Sequence, residues 1–251
     1  MTTTVPPIHS ETFAIHPIEC DFNQEWKPPA IIQHLTDIAG LHAAELGVGF
    51  DEMLSHDLYW VHSRMKIVYL GYPRANQVIT IRTWPRTIYR RLIYIRDFEV
   101  VSEAGERLLA ASSNWLIINA ATRRMAPPRS VKLTIPEVHI PIGMDETLER
   151  LESAHDGDER LRLMAGYSSV DLVGHVNNSR YVEWICDAFP LEMFKKRKLD
   201  FLQINYEHEV LPGEEVSVRV NQVGGETGLW AVEGHNLSNG TCAFQSLVRW
   251  K

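Results

Sequence analysis

The chain has 251 residues, 45% of them hydrophobic and 23% charged, with a formal net charge of −7. Such a composition buries the core of one large domain or two small ones and excludes global disorder. The acidic balance excludes general nucleic-acid binding, which needs a basic footprint, and no apolar run approaches the roughly 20 residues of a membrane-spanning helix.

Met1 to Ser10 lack the basic stretch and apolar run of a secretory signal. An extended segment, Glu11 to Cys20, leads to Pro28-Pro29 and a long apolar stretch from Ala30 to Leu46. There Ile31, Leu35, Ile38, Ala39 and His42 recur at helical spacing. The paired prolines suit the first turn of that helix, and Gly47 and Gly49 suit its end. Strand-like runs follow at Leu58 to Leu70, Gln77 to Pro85, Leu92 to Val101 and Arg107 to Ile118, with a hairpin turn at Glu103 to Glu106. Ile135 to Glu159 is acidic towards its end and reads as a linker, partly helical.

The order then repeats. Leu161 to Ser168 reads as extended, and a helix from about Asn177 to Phe189 is ended by Pro190, with Tyr181, Ile185 and Phe189 on one face. A short helical excursion, Leu191 to Lys198, precedes strand-like runs at Phe201 to Val210, Glu215 to Val220, Leu229 to Asn236 and Thr241 to Trp250. Gly224-Gly225 and Ser238-Asn239-Gly240 mark hairpin turns. Strand, buried helix and several antiparallel strands, twice over, make an α+β plan in which each antiparallel sheet wraps a central helix, a tandem double hotdog. The division is 1–134, a linker at 135–160, and 161–251.

Cys20, Cys186 and Cys242 are odd in number and far apart, so they read as small buried hydrophobes of a reducing cytoplasm. No H-E-x-x-H metal spacing, G-x-S-x-G elbow or Gly-rich phosphate loop occurs. The aromatic residues Trp60, Tyr69, Trp84 and Trp115 of the first copy read as core, with a tunnel lining as the alternative.

The chemistry concentrates in Tyr167 to Trp184. An acid, Asp171, an imidazole, His175, and two amides, Asn177 and Asn178, stand just before an apolar helix. Either amide can cap the helix, whose N-terminus offers free N–H groups and a positive dipole end to a polarised carbonyl. Gly174 lets the loop approach a ligand closely. The run D-L-V-G-H-V-N-N-x-x-Y resembles the signature of the acyl-ACP thioesterases, over nearly the whole chain from about Glu11.

The resemblance implies hydrolysis of fatty acyl thioesters of acyl carrier protein, without metal or organic cofactor. It implies that the second copy is catalytic and that the first shapes the acyl pocket. It implies catalytic or positioning roles for Asp171 and His175, and places a further acid, Glu209, on the strand after the helix. The family pattern has Asn two residues before the histidine, where this chain has Val173. An acyl-CoA thioesterase of the same fold and a non-catalytic acyl-binding protein are the alternatives.

Aligning the copies lays Asp171 over Asp21, His175 over Glu25, Asn178 over Pro28 and Glu209 over Gly71, which leaves the first copy without a histidine, a second carboxylate or an oxyanion N–H. The basic run Lys195, Lys196, Arg197 and Lys198, like Arg90-Arg91 and Arg123-Arg124, contrasts with the acidic whole and is a candidate dock for an acidic carrier protein. The tandem copy already supplies one hotdog pair and leaves a homodimer open.

Overall fold

Runs rich in β-branched and aromatic residues, some alternating in burial and others buried on both faces, build ten strands in a computed structural model, which describes residues 5–126, 135–144, 147–153 and 157–251. In the first half these are β1 (His9–Ala14), β2 (Leu58–Tyr69), β3 (Val78–Tyr89), β4 (Ile93–Ser102) and β5 (Arg107–Asn119). In the second they are β6 (Asp158–Met164), β7 (Leu199–Tyr206), β8 (Glu215–Gln222), β9 (Leu229–Asn236) and β10 (Cys242–Trp250). They form one antiparallel sheet in the order β1-β3-β4-β5-β2-β7-β10-β9-β8-β6, the same five-strand order read inwards from each edge. The halves join where β2 pairs with β7, from Arg64 opposite Asn205 to Val68 opposite Phe201.

Helix α1 (Pro28–Glu45) starts with its prolines at the first two positions, where a missing N–H costs nothing, and is followed by Gly47 at φ +71°. A short α2 (Phe50–Ser55) follows. Helix α3 (Asn178–Asp187) has only ten residues, because Pro190 denies it an N–H two residues past Ala188. Helix α4 (Leu191–Lys196) ends before Lys198, whose backbone pairs with Lys251 in both directions.

Helices α1 and α3 pack against each other and against the same face of the sheet. Ile31, Leu35 and Ile38 of α1 and Val182 and Ile185 of α3 share one core with Ile67, Ile81, Ile204 and Phe244. Each such side chain contributes about 1.5–3 kcal/mol by leaving water.

The opposite face is crossed by the connecting segment. Its described residues, 135–144 and 147–153, hold no helix, contrary to the partly helical linker expected. They are pinned by side chains of the sheet instead. Arg86 donates to the Met144 carbonyl at 2.7 Å, and Arg64 and Asn114 donate to that of Leu148 at 2.6 and 3.2 Å. Ile142 and Met144 cover Trp84 and Ala110. Among the described residues no helix is long and apolar enough to cross a membrane. The three cysteines are free thiols, each partly rather than fully buried.

Candidate active site

A bridge between Val170 and Val176 closes the loop that precedes α3. Inside it Asp171 N–H donates to His175 C=O at 3.0 Å and Gly174 N–H to Asp171 C=O at 3.1 Å. Gly174 sits at φ +86°, a conformation that a side chain would strain. The Asp171 carboxylate accepts from the Val173 N–H at 3.1 Å and from the Asn177 amide at 3.5 Å, and its Oδ1 lies 3.8 Å from His175 Nδ1. Of the two candidate caps, Asn177 is the one used: its Oδ1 accepts from Ser179 N–H at 3.0 Å and from Ser179 Oγ at 2.7 Å. Asn178 is the first residue of α3, and its carbonyl accepts from the Tyr206 hydroxyl at 3.3 Å. A helix leaves its first N–H groups without internal partners, so the Asn178 N–H has none within α3.

Glu209 does not lie on the strand, as expected from the apolar run, but three residues past its end. Glu207 and His208 both donate to the Ala243 carbonyl, at 2.9 and 3.2 Å, and that shared acceptor turns the chain out of the ladder. The segment then folds against the loop before α3. Val210 C=O accepts from Val176 N–H at 2.9 Å, and Val210 N–H donates to the Tyr181 hydroxyl at 3.1 Å. Burial pushes the Tyr181 hydroxyl far above its ordinary pKa; the Val210 N–H opposes the rise, and the Glu209 and Asp171 carboxylates add to it. Both acids therefore stand within electrostatic reach of one hydroxyl. Glu209 is half exposed and lies 3.7 Å from Arg123 of the first half.

The first half keeps the same loop without the same groups. Asp21 N–H donates to Glu25 C=O at 2.8 Å, as Asp171 does to His175. Trp26 N–H donates to Pro73 C=O at 2.8 Å, as Val176 does to Val210, and Ile15 to Gln77 at 3.0 Å, as Ala165 does to Glu214 at 2.9 Å. These pairs lay Glu209 over Tyr72, one residue from the expected Gly71.

Between α1 and the sheet of the first half lies a cavity of about 250 Å³, walled by Ala39, Gly40 and Ala43 of the helix and by Trp60, Tyr94 and Trp115 of the strands. Counting along the helices from Pro28 and Asn178, Ala39 corresponds to Phe189. There the second half is filled: Phe189 stands edge-on to Trp250 and Trp230, at 5.4 and 6.0 Å between ring centroids. Of the four aromatic residues singled out in the first copy, Trp60 and Trp115 wall this cavity. Trp84 is buried under the connecting segment, and Tyr69 lines a different cleft.

Asp171, His175 and Glu209 do not wall the cavity. A column of rings stands between: Trp115 stacks on His62 at 4.3 Å, His62 lies 5.3 Å from Tyr206, and Tyr206 reaches the Asn178 carbonyl. His62, Tyr181 and Tyr206 are residues that sequence reasoning missed as part of this site. The one signal they carried was polarity at strand and helix positions otherwise apolar.

The basic run Lys195 to Lys198 is placed beside the first loop. Lys198 pairs with Glu25, Lys195 and Lys196 with Glu192 at 2.8 and 3.8 Å, and Asn23 donates to the Phe194 carbonyl at 3.0 Å.

Residues 6–129 match the family described as acyl-ACP thioesterase N-terminal domain, and residues 152–251 that described as acyl-ACP thioesterase C-terminal domain. A chloroplastic palmitoyl-acyl carrier protein thioesterase of Gossypium hirsutum is 30% identical over 215 residues, which cover 80% of this chain and 52% of that protein. A chloroplastic oleoyl-acyl carrier protein thioesterase of Coriandrum sativum is 26% identical, over 91% of this chain and 66% of that protein. The chain spans about half the length of the first of these relatives. The crystal structure of an acyl-ACP thioesterase from Bacteroides thetaiotaomicron superposes with a TM-score of 0.89 at 28% identity, covering 98% of both chains. The 12:0-ACP thioesterase from Umbellularia californica shares the fold, with a TM-score of 0.84 at 22% identity and 99% of both chains covered.

Proposed function

The chain belongs to the acyl-ACP thioesterase family, and we propose that it hydrolyses fatty acyl thioesters of acyl carrier protein to free fatty acid and carrier thiol. The observation that carries this reading is the asymmetry of the two halves. Among the described residues, a loop with an acid, an imidazole and a capped helix end stands in the second half but not in the first, while the space between helix and sheet that Phe189 fills in the second half is open beside Ala39 in the first.

The acyl chain enters the cavity between α1 and the sheet past the His62 ring column. Its carbonyl oxygen then accepts from the Asn178 N–H at the positive end of α3, a donor typically worth about 100- to 1,000-fold in rate. Water adds to the carbonyl carbon as Glu209, or Asp171 in its place, takes the proton. The C–S bond breaks, and the leaving thiolate takes up the proton that the carboxylate removed from water, with His175 as the relay. Asp171, held by the Val173 N–H, orients His175. Val173 brings no polar side chain, and the Asn177 amide beside Asp171 Oδ2 supplies the neighbouring donor instead. The reaction as written draws on no metal or organic cofactor. The free cysteines suit a reducing compartment such as the cytoplasm.

Purified protein incubated with acyl-ACPs of graded chain length should release free thiol. Undiminished release in both Asp171→Ala and Glu209→Ala would refute the arrangement. A higher kcat/KM on matched acyl-CoAs would move the substrate to CoA. No release from either thioester would leave an acyl-binding protein.

A further inference from the structure

Glu209 stands off the sheet, and a side chain of α3 holds its neighbour in place. Past the bond from His208 N–H to the Ala243 carbonyl, the backbone has left the ladder. Among the described residues, its next two bonds both fall on Val210. The Val210 C=O accepts from the Val176 N–H at 2.9 Å, and the Val210 N–H donates to the Tyr181 hydroxyl at 3.1 Å. Val176 closes the loop that carries Asp171 and His175, and Tyr181 lies one turn into α3 from Asn178. The residue next to Glu209 is thus fastened to the two pieces that carry the rest of the site. Arg123 also reaches Glu209, at 3.7 Å, but both groups are well exposed there, where an ion pair holds little.

The anchor itself is rigid. Tyr181 is 3% exposed, with its ring edge-on to those of Tyr206 and Phe244 at 5.8 and 5.6 Å between centroids. Val210 is fully buried, so its N–H has no water to turn to. Burial keeps the hydroxyl protonated, and it accepts from Val210 without setting a charge beside the Glu209 carboxylate.

The first half has no carboxylate to hold at this place, and it lacks both partners of the bond. The register of the loop bonds sets Tyr72 over Glu209 and Pro73 over Val210. The same register sets His62 over Leu199, each opposite a tryptophan of the next strand. Pro73 has no N–H to give. Counting from Pro28 and Asn178 sets Ile31 over Tyr181, and Ile31 has no hydroxyl to receive one. The neighbouring bond, from Trp26 N–H to Pro73 C=O at 2.8 Å, is kept. The loop therefore closes without the tyrosine. Donor and acceptor are present together beside Glu209 and absent together beside Tyr72.

We propose that Tyr181 is a positioning residue of the reaction: through Val210, its hydroxyl fixes the Glu209 carboxylate at its distance from the end of α3 where the thioester carbonyl is bound. This rests on the thioesterase reading and on Glu209 as the base. A catalytic group displaced by about 1 Å loses on the order of 100-fold in rate. The acyl chain and its carrier, bound elsewhere, are held as before.

The test is a double-substitution cycle read by thiol release from acyl-ACP. Tyr181→Phe keeps the ring and deletes the hydroxyl. It should lower kcat about 10- to 100-fold and move KM less than about twofold. In a Glu209→Gln background the same change should alter kcat less than about twofold, because no base is left to place. Replacing Val210 by its α-hydroxy acid puts an ester oxygen where the N–H was. That should reproduce the loss without touching the ring and add nothing to Tyr181→Phe, and it carries the test if the phenylalanine variant does not fold. A loss of equal fold in both backgrounds is that of a merely structural residue and overturns the proposal. So does a kcat that ignores Tyr181→Phe, a rise in KM alone, or an undiminished kcat in Glu209→Gln. Those outcomes leave the unsubstituted protein releasing thiol; no release from it at all sinks the thioesterase reading together with this one.

Discussion

Ala39→Phe rebuilds in the first half the side chain that fills the second. Ala39 is buried and walls the cavity proposed for the acyl chain, and the new ring would face Trp115 as Phe189 faces Trp250. The cavity holds about 250 Å³, and a phenyl ring excludes about four methylenes of a bound chain. Each methylene kept out of an apolar site forfeits about 0.8 kcal/mol, so the longest accepted chains lose about 3 kcal/mol. That is a fall on the order of 100-fold in kcat/KM, while chains too short to reach Ala39 lose nothing. The assay is thiol release from carriers charged with a ladder of saturated chains, beside the unsubstituted protein. The preferred length should shorten by about four carbons. An unchanged profile would show that the chain does not lie in this cavity. A uniform loss at every length, with Tm preserved, would refute the reasoning equally.

Glu209→Gln should lower kcat by about 100- to 10,000-fold with little change in KM, as expected for a lost general base; stopped-assay kinetics at saturating acyl-ACP would show it. Asn177→Ala removes the cap of α3 and should cost about 1 kcal/mol in denaturant unfolding and, with the carbonyl bound at the same helix end as proposed, should lower kcat as well. Lys195→Glu with Lys196→Glu should raise KM for acyl-ACP and spare kcat, since both ends are exposed; an unmoved KM would place the carrier elsewhere.

Stability should fall in mild acid. Burial lowers the His62 pKa to about 3 and that of His42 to about 4, so both imidazoles stay neutral in the fold while the unfolded chain takes up protons below its model value of 6.5. The folded form is fully favoured above that value and loses about 1.4 kcal/mol per pH unit per histidine as pH drops towards the folded pKa values. His62→Leu, which copies Leu199, should flatten the slope by about half in urea unfolding at graded pH, and an unaltered slope would remove His62 from the account.

The repeat was legible because both copies use the same residue kinds at the same intervals: an Asp-led loop, a helix and four strands. Its register was not. Leu70 and Gly71 share the Leu108 carbonyl, as Glu207 and His208 share that of Ala243. Counting residues along apolar runs does not see such an irregularity, which takes Glu209 off the strand; the slip from Gly71 to Tyr72 comes instead from laying Glu215 over Gln77, when β8 starts at Glu215 and β3 at Val78. Asp171, His175 and Asn177 were legible because they are local, held by bonds within six residues. His62 was not, since its meaning comes from Trp115 and Tyr206, which only the sheet brings to it. The run Lys195 to Lys198 looked like a free basic patch because Glu25, the partner of Lys198, is 173 residues away. The small residues Ala39, Gly40 and Ala43 were visible, but only the packed helix shows that nothing fills the space they leave.

Joining both halves in one sheet has a consequence for how the protein can change. In a homodimer built from one such half, every substitution is made twice, and a residue that blocks one cleft blocks its twin. Here Pro28 faces the part played by Asn178, and Ala39 the part played by Phe189, within a single particle. Under the proposed function, the covalent link lets one copy give up catalysis and become a measuring slot while the other keeps its chemistry. On that reading, selection on chain length acts on α1 without touching the residues proposed to break the bond.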